Sequence, residues 1–230
     1  MPEVAAPPAA SPALPLQGFT LLVVEDSRYA CEALRLIAQR LGARLRRAET
    51  IADARRHLAL YRPDVVLVDL GLPDGNGAAL IRDLALRAPA GPVVLGMSGD
   101  PGGRVAALAA GAAGFLEKPL PGVAALRDLV LRHLGLRVPA PAAEPGLPAP
   151  DALALRDDLE RAARLLDGAP GAGVQRYLAQ FIAGLARSAR DDALAEAAGR
   201  MTRDAGAAPA VAALLARRLR AAPAAFDRGM

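Results

Sequence analysis

A single cysteine, Cys31, rules out an intrachain disulfide and suits a reducing compartment. Aromatic residues make up only 3% of the chain, so its cores must be filled by Leu, Val and Ala. No apolar run approaches the ~20 residues needed to cross a bilayer, so membrane insertion is not expected. Residues 1–17 have no basic stretch leading into a hydrophobic segment. They do not read as a signal peptide, and the expectation is a disordered lead on a cytoplasmic protein. The net charge of +4 is modest and comes from arginines scattered among acids, which gives little support for nucleic-acid binding. Lysine is the sharpest scarcity. Of 28 basic residues one is lysine, Lys118, directly before Pro119. A GC-rich genome accounts for the arginines, yet a compact ammonium does chemistry that a planar guanidinium cannot.

What is present is enough for one full-sized domain and a smaller one within 230 residues. Short apolar runs alternate with amphipathic stretches from residue 18 to 134. Phe19–Val24 and Val65–Val68 read as strands buried on both faces, Arg44–Ala48 as a weaker strand, and Val93–Met97 and Ala113–Leu116 as two more. Helical spacing fills the intervals: Ser27 caps one helix, Thr50 opens another, and three more follow at about 78–87, 103–110 and 123–133. Five β/α units in succession imply a parallel sheet covered by helices on both faces. Residues 135–150 are Pro/Ala-rich and aperiodic, a semi-rigid linker. Residues 151–222 are helical in pattern, at about 151–166, 174–188, 191–204 and 209–220, predicting a small all-α module. Residues 223–230 form a tail.

Ligands of open parallel sheets bind beyond the carboxyl ends of the strands. The first strand here ends in Glu25 and Asp26, the third in Asp69, the fourth in Ser98 and Gly99, and the fifth in Glu117, Lys118 and Pro119. Three acids packed on one edge repel, and a hard divalent cation relieves them; such an oxygen site suits Mg²⁺. Asp69 can then serve as a nucleophile towards phosphorus and form an acyl phosphate. Mg²⁺, Lys118 and the Ser98 hydroxyl would compensate the charge on the transferred group. Gly99 leaves room beside the strand. Any one of these residues alone reads as a loop acid or a helix cap; the set does not.

In order, these motifs are Glu25–Asp26, Asp69 followed by Gly71-Leu-Pro-Asp-Gly75, Ser98–Gly99, and Gly111-Ala-Ala-Gly-Phe-Leu-Glu-Lys-Pro119. The segment from Phe19 to Leu134 resembles the receiver domain of bacterial two-component response regulators. The resemblance implies a flavodoxin-like, doubly wound five-stranded sheet of order 2-1-3-4-5. It also implies a sensor histidine kinase or phosphotransfer protein as phosphoryl donor. Glu25, Asp26 and Asp69 would serve the metal together with the backbone carbonyl of Gly71. Ser98 and Phe115 would be switch residues, and Lys118–Pro119 a cis peptide. Such a protein is a phosphoacceptor that assists its own phosphorylation and dephosphorylation, not an enzyme acting on a separate substrate. Two departures stand out: Gly71 offers no side chain near the hydrolytic water, and Gly99 replaces the commoner alanine.

Other readings are weaker. A haloacid-dehalogenase-type phosphatase needs a second acid two residues after Asp69, where Gly71 stands. The loop glycines Gly71, Gly75 and Gly77 do not match phosphate- or dinucleotide-binding fingerprints. His57 and His133 fall on predicted helices away from the strand ends and read as structural, and Cys31 reads as a packed small hydrophobe. Residues 151–230 carry 12 arginines against 10 acids and no recognition helix, which argues against DNA as partner. The same region has no histidine, which excludes phosphorelay through it, although its helix lengths loosely resemble a histidine-phosphotransfer bundle. Three outputs stay open: a protein-interaction or homodimerisation module, a DNA-binding regulator, and a degenerate phosphotransfer-like docking bundle. The first is expected.

Overall fold

The computed structural model describes residues 13–87, 91–120, 122–140, 146, 151–168 and 170–221. Residues 1–12 of the expected lead, most of the linker beyond 140, and the tail at 223–230 lie outside the described residues. The chain divides into two compact units. One comprises the described residues up to 26 together with those of 33–149; the other comprises residues 27–32 together with those of 150–230.

The first unit carries a five-stranded parallel sheet. Its strands are β1 (Thr20–Val24), β2 (Arg44–Ala48), β3 (Val65–Asp69), β4 (Val93–Ser98) and β5 (Gly114–Glu117), in the order β2-β1-β3-β4-β5. Central strands β1 and β3 are apolar along nearly their whole length, because helices cover both of their faces. The edge strand β2 instead alternates, with Arg44 and Arg46 exposed, which keeps a free sheet edge from recruiting another strand. Helices α1 (Arg28–Arg40), α2 (Ile51–Leu60), α3 (Gly77–Ala85), α4 (Gly103–Ala109) and α5 (Val123–His133) connect the strands. α1 stops where its sequence dictates. Gly42 adopts φ +81°, its N–H bonds Gln39 O, and the Ala43 N–H bonds Ala38 O, closing the last carbonyls.

Residues 13–17 differ from the expected lead. Leu16 is fully buried and its N–H donates to Leu41 O at 2.8 Å, so the ordered domain starts ahead of residue 18. Leu14 and Leu16 among prolines and alanines are too few to give a periodic signal, so this anchor is not readable from the sequence. The Gly71–Asn76 segment, read as loop, folds into a two-residue antiparallel ladder pairing Gly71 with Asn76 and Leu72 with Gly75. Among the described residues, no helix is long and apolar enough to cross a membrane.

The second unit is built from α6 (Ala152–Asp167), α7 (Ala172–Ser188), α8 (Asp192–Met201), a 3-10 turn at Ala205–Ala207, and α9 (Ala208–Ala221). α6 packs on α7 and α9, and α8 packs on the same two, a four-helix ring. Its core is Leu159, Leu166, Leu178, Phe181, Ile182, Leu185, Leu194, Met201, Val211 and Leu215, with alanines at 162, 179, 197 and 198 letting the helices approach closely. The unit is discontinuous in sequence, which a boundary at residue 151 did not anticipate. Asp158, only 1% exposed, accepts from Ser27 Oγ at 2.8 Å, Tyr29 N at 3.0 Å and Arg28 N at 3.1 Å. The first amides of a helix lack intrahelical partners, and a carboxylate satisfies them with the favourable sign of charge.

Asp191 ties the ring together. Its side chain caps α8 through the Leu194 N–H and takes two bonds from Arg218 of α9, at 2.5 and 2.9 Å. The Arg218 bonds hold its carboxyl below the ordinary carboxylate value of 3.8. Asp191→Ala is expected to lower stability by about 1 kcal/mol from the cap alone. Because the folded-state value is depressed, this contribution is present at neutral pH and fades as pH falls below 3.8. Thermal melts of wild type and variant should converge in acid; a gap unchanged from pH 7 to pH 3 would contradict the assignment.

Candidate metal and phosphoacceptor site

The strand order creates the site. The chain leaves β1 towards one side of the sheet and β3 towards the other, opening a crevice at their carboxyl ends. Val24 pairs with Val68, so the next residues, Glu25 and Asp69, emerge side by side. Glu25, Asp26 and Asp69 are all buried, and each offers a carboxylate oxygen within 4.8 Å of the others. The Lys118 Nζ contacts Glu25 Oε2 and lies 3.0 Å from Asp69 Oδ1, with the Lys118, Glu25 and Asp69 side chains 12%, 2% and 11% exposed. The only lysine in the sequence thus faces two of the three acids.

Burial pushes the Glu25 carboxyl up to about 8; Lys118 opposes the rise, while Asp69 and Asp26 add to it. For Lys118, burial alone would favour the neutral amine, but Asp69 and Glu25 more than reverse this and hold the ammonium above its ordinary range. The cluster thus sets three acids beside the ammonium of Lys118. Carboxylate oxygens crowded at this spacing form a hard donor set that fits a divalent cation such as Mg²⁺.

Lys118 is aimed by its neighbours. Its N–H donates to Ser98 O at 2.9 Å, and the Lys118–Pro119 bond is cis. Ser98 ends β4, and its Oγ accepts from Asp100 N at 3.0 Å, which leaves the hydroxyl proton available to donate. Phe115 is half-buried on β5. A Cβ placed on Gly103 would lie 3.0 Å from Ser98 Oγ and 3.4 Å from Phe115 Cζ, so both residues border the same backbone position. Gly71 lies in the short ladder that follows Asp69.

Other predicted residues lie where the sequence placed them. His57 bonds Tyr61 through Nδ1 at 3.0 Å on α2, His133 abuts Gly114 of β5, and Cys31 is buried. Three further residues shape the site. Asp74 accepts from Ile51 N and Ala52 N, fastening the Asp69 loop to the start of α2. Gly77 lets α3 start against the end of β3: a Cβ there would sit 1.9 Å from Asp69 O. Arg47 of β2 donates to the backbone carbonyls of Glu25 and Asp26. Of these, only the Asn76–Gly77 turn left a visible signal.

A doubly wound α/β domain with an acid cluster and a buried lysine at its switch point defines the class. The response regulator receiver domain family matches residues 21–130, and that segment is a receiver domain. It is 36% identical over 125 residues to the KDP operon transcriptional regulatory protein KdpE of Escherichia coli K12, covering 53% of this chain and 55% of that relative. It is also 36% identical over 119 residues to the response regulator protein PilR of Pseudomonas aeruginosa, covering 51% of this chain and 26% of that one. The chain thus spans about half or less of the curated relatives it matches. A solved response regulator receiver protein from Burkholderia phymatum is 28% identical, with 53% of this chain and 98% of that one covered at a TM-score of 0.46.

Gly77→Ala tests the close approach of α3 to β3. Overpacking against backbone is expected to cost at least ~2 kcal/mol, read as a lower melting temperature. A wild-type melting curve would show that α3 is not seated on Asp69.

Proposed function

We propose that the chain is a phosphorylation-switched response regulator that accepts a phosphoryl group on Asp69 from a sensor histidine kinase or phosphotransfer protein. The observation that carries this reading is the contact of Lys118 with Glu25 and Asp69 inside a cluster of three buried carboxylates. Glu25, Asp26 and Asp69, with the Gly71 carbonyl, would hold Mg²⁺. When bound, the ion neutralises the crowded acids and the phosphoryl oxygens.

The remaining chemistry belongs to the chain. An Asp69 carboxylate oxygen attacks the phosphorus of a phosphorylated histidine. The new O–P bond forms as the N–P bond breaks, and the leaving imidazole nitrogen keeps the electron pair, taking any proton it needs from solvent water. Lys118 offsets negative charge on the transferred group and Ser98 donates its hydroxyl to it. No general base is required, because the carboxylate itself is the nucleophile. Ser98 and Phe115, which border one glycine, would relay the new charge to the domain surface. The protein acts as a phosphoacceptor that assists its own turnover, not as an enzyme with a separate substrate.

The helical unit would be the output, engaging a downstream protein or a second copy of the chain. A cytoplasmic setting follows from the donor it would meet. The name of the KdpE relative favours a second reading, transcriptional regulation through DNA. Against it, the family match ends at residue 130, ahead of the helical unit, whose region carries nearly balanced charge.

Acetyl phosphate with Mg²⁺ is expected to add one phosphoryl mass to the intact protein, and none to Asp69→Asn. The same adduct on the variant, or none on wild type, would contradict the proposal. Following size by light scattering and binding to promoter DNA in that sample separates the outputs. Phosphorylation-dependent DNA retention would overturn the protein-interaction reading.

A further inference from the structure

Beyond the acids and the lysine, one basic side chain reaches the same backbone. The β1–β2 register ends at Val24 and Ala48, followed by Glu25 N donating to Ala48 O at 2.9 Å. Past that rung, Arg47 Nη2 donates to Asp26 O at 3.0 Å and Arg47 Nε makes a longer contact with Glu25 O at 3.4 Å. Nε and Nη2 share one edge of the planar guanidinium, so a single fork takes two successive carbonyls. In an extended strand, successive residues face opposite ways. Two neighbouring carbonyls reach one fork only where the backbone turns, and at this turn the Glu25 and Asp26 carboxylates come within 4.8 Å of each other and of Asp69.

We propose that Arg47 is a positioning residue that sets the bend at Glu25–Asp26 and so brings both carboxylates to the cation site. The proposal rests on the Mg²⁺ reading above. Arg47 touches neither the phosphoacceptor nor the transferred group; it acts on the ligands through their own main chain. Its pairing with Glu49, at 3.5 Å on a mostly exposed acid, contributes little by itself. A lysine would keep the charge but not the fork, since its ammonium is a point donor on a flexible stem.

Calorimetric titration of the metal-free full chain with MgCl₂ tests this. Arg47→Ala is expected to weaken Mg²⁺ binding by about 10-fold, the usual scale for losing a group that orients a metal ligand. Arg47→Lys should recover only part of the loss, and both variants should melt close to wild type without Mg²⁺, since the side chain is on an edge strand. The Mg²⁺ concentration that half-saturates phosphorylation by acetyl phosphate should shift by the same factor. Charge alone predicts the opposite sign, because removing a cation near three acids favours Mg²⁺. Equal or tighter binding by Arg47→Ala, or full recovery by Arg47→Lys, would overturn the positioning role. If Arg47→Ala does not fold, Arg47→Lys decides the question. A wild-type chain that takes up no Mg²⁺ would overturn the phosphoacceptor reading as well, whereas wild-type binding with an unchanged variant overturns this inference only.

Discussion

The structure of the receiver unit turns on an imbalance of charge: three buried carboxylates meet one buried ammonium. Removing ionised groups from water is costly unless they are paired. Burial, with Asp69 and Asp26 beside it, raises the Glu25 carboxyl against the pull of Lys118, while Asp69 and Glu25 keep Lys118 charged. A cluster so arranged favours whatever adds positive charge. That preference is what the rest of the fold is organised to present at a single edge.

The organisation is simple in origin. Strands apolar on both faces must lie in the middle of a covered parallel sheet, and the order β2-β1-β3-β4-β5 puts the ends of β1 and β3 next to each other. Finer placement comes from the loops. Gly77 admits α3 against Asp69, Asp74 ties the following turn to α2, and Arg47 holds the two carbonyls where the chain leaves β1. Ser98 joins β4 to Lys118 through a main-chain bond, so the hydroxyl and the ammonium are presented from neighbouring strands.

Most of this architecture was legible in the sequence because it rests on long apolar runs and residue types with narrow uses. FTLLVV and VVLV admit few readings other than buried strands, and a lone lysine in an arginine-rich chain points to a site. Contributions made through backbone or single contacts were not legible. Arg47 sits in a strand with Arg44 and Arg46, and nothing in the letters separates the one that turns inward. Asp158 reads as one more charge on an amphipathic helix, yet it is buried because three donors surround it. Leu16 and the Gly71–Asn76 ladder are too short to carry a period. The helical unit showed its helices clearly but not its inclusion of residues 27–32, which depends on contacts far apart in the chain.

Crystals of the chain grown with Mg²⁺ and beryllofluoride examine the central proposition most directly. The account predicts one ion among the Glu25, Asp26 and Asp69 carboxylates and a fluoroberyllate on Asp69 within reach of Lys118 and Ser98. An ion bound away from the three acids, or an adduct on any other residue, would contradict it.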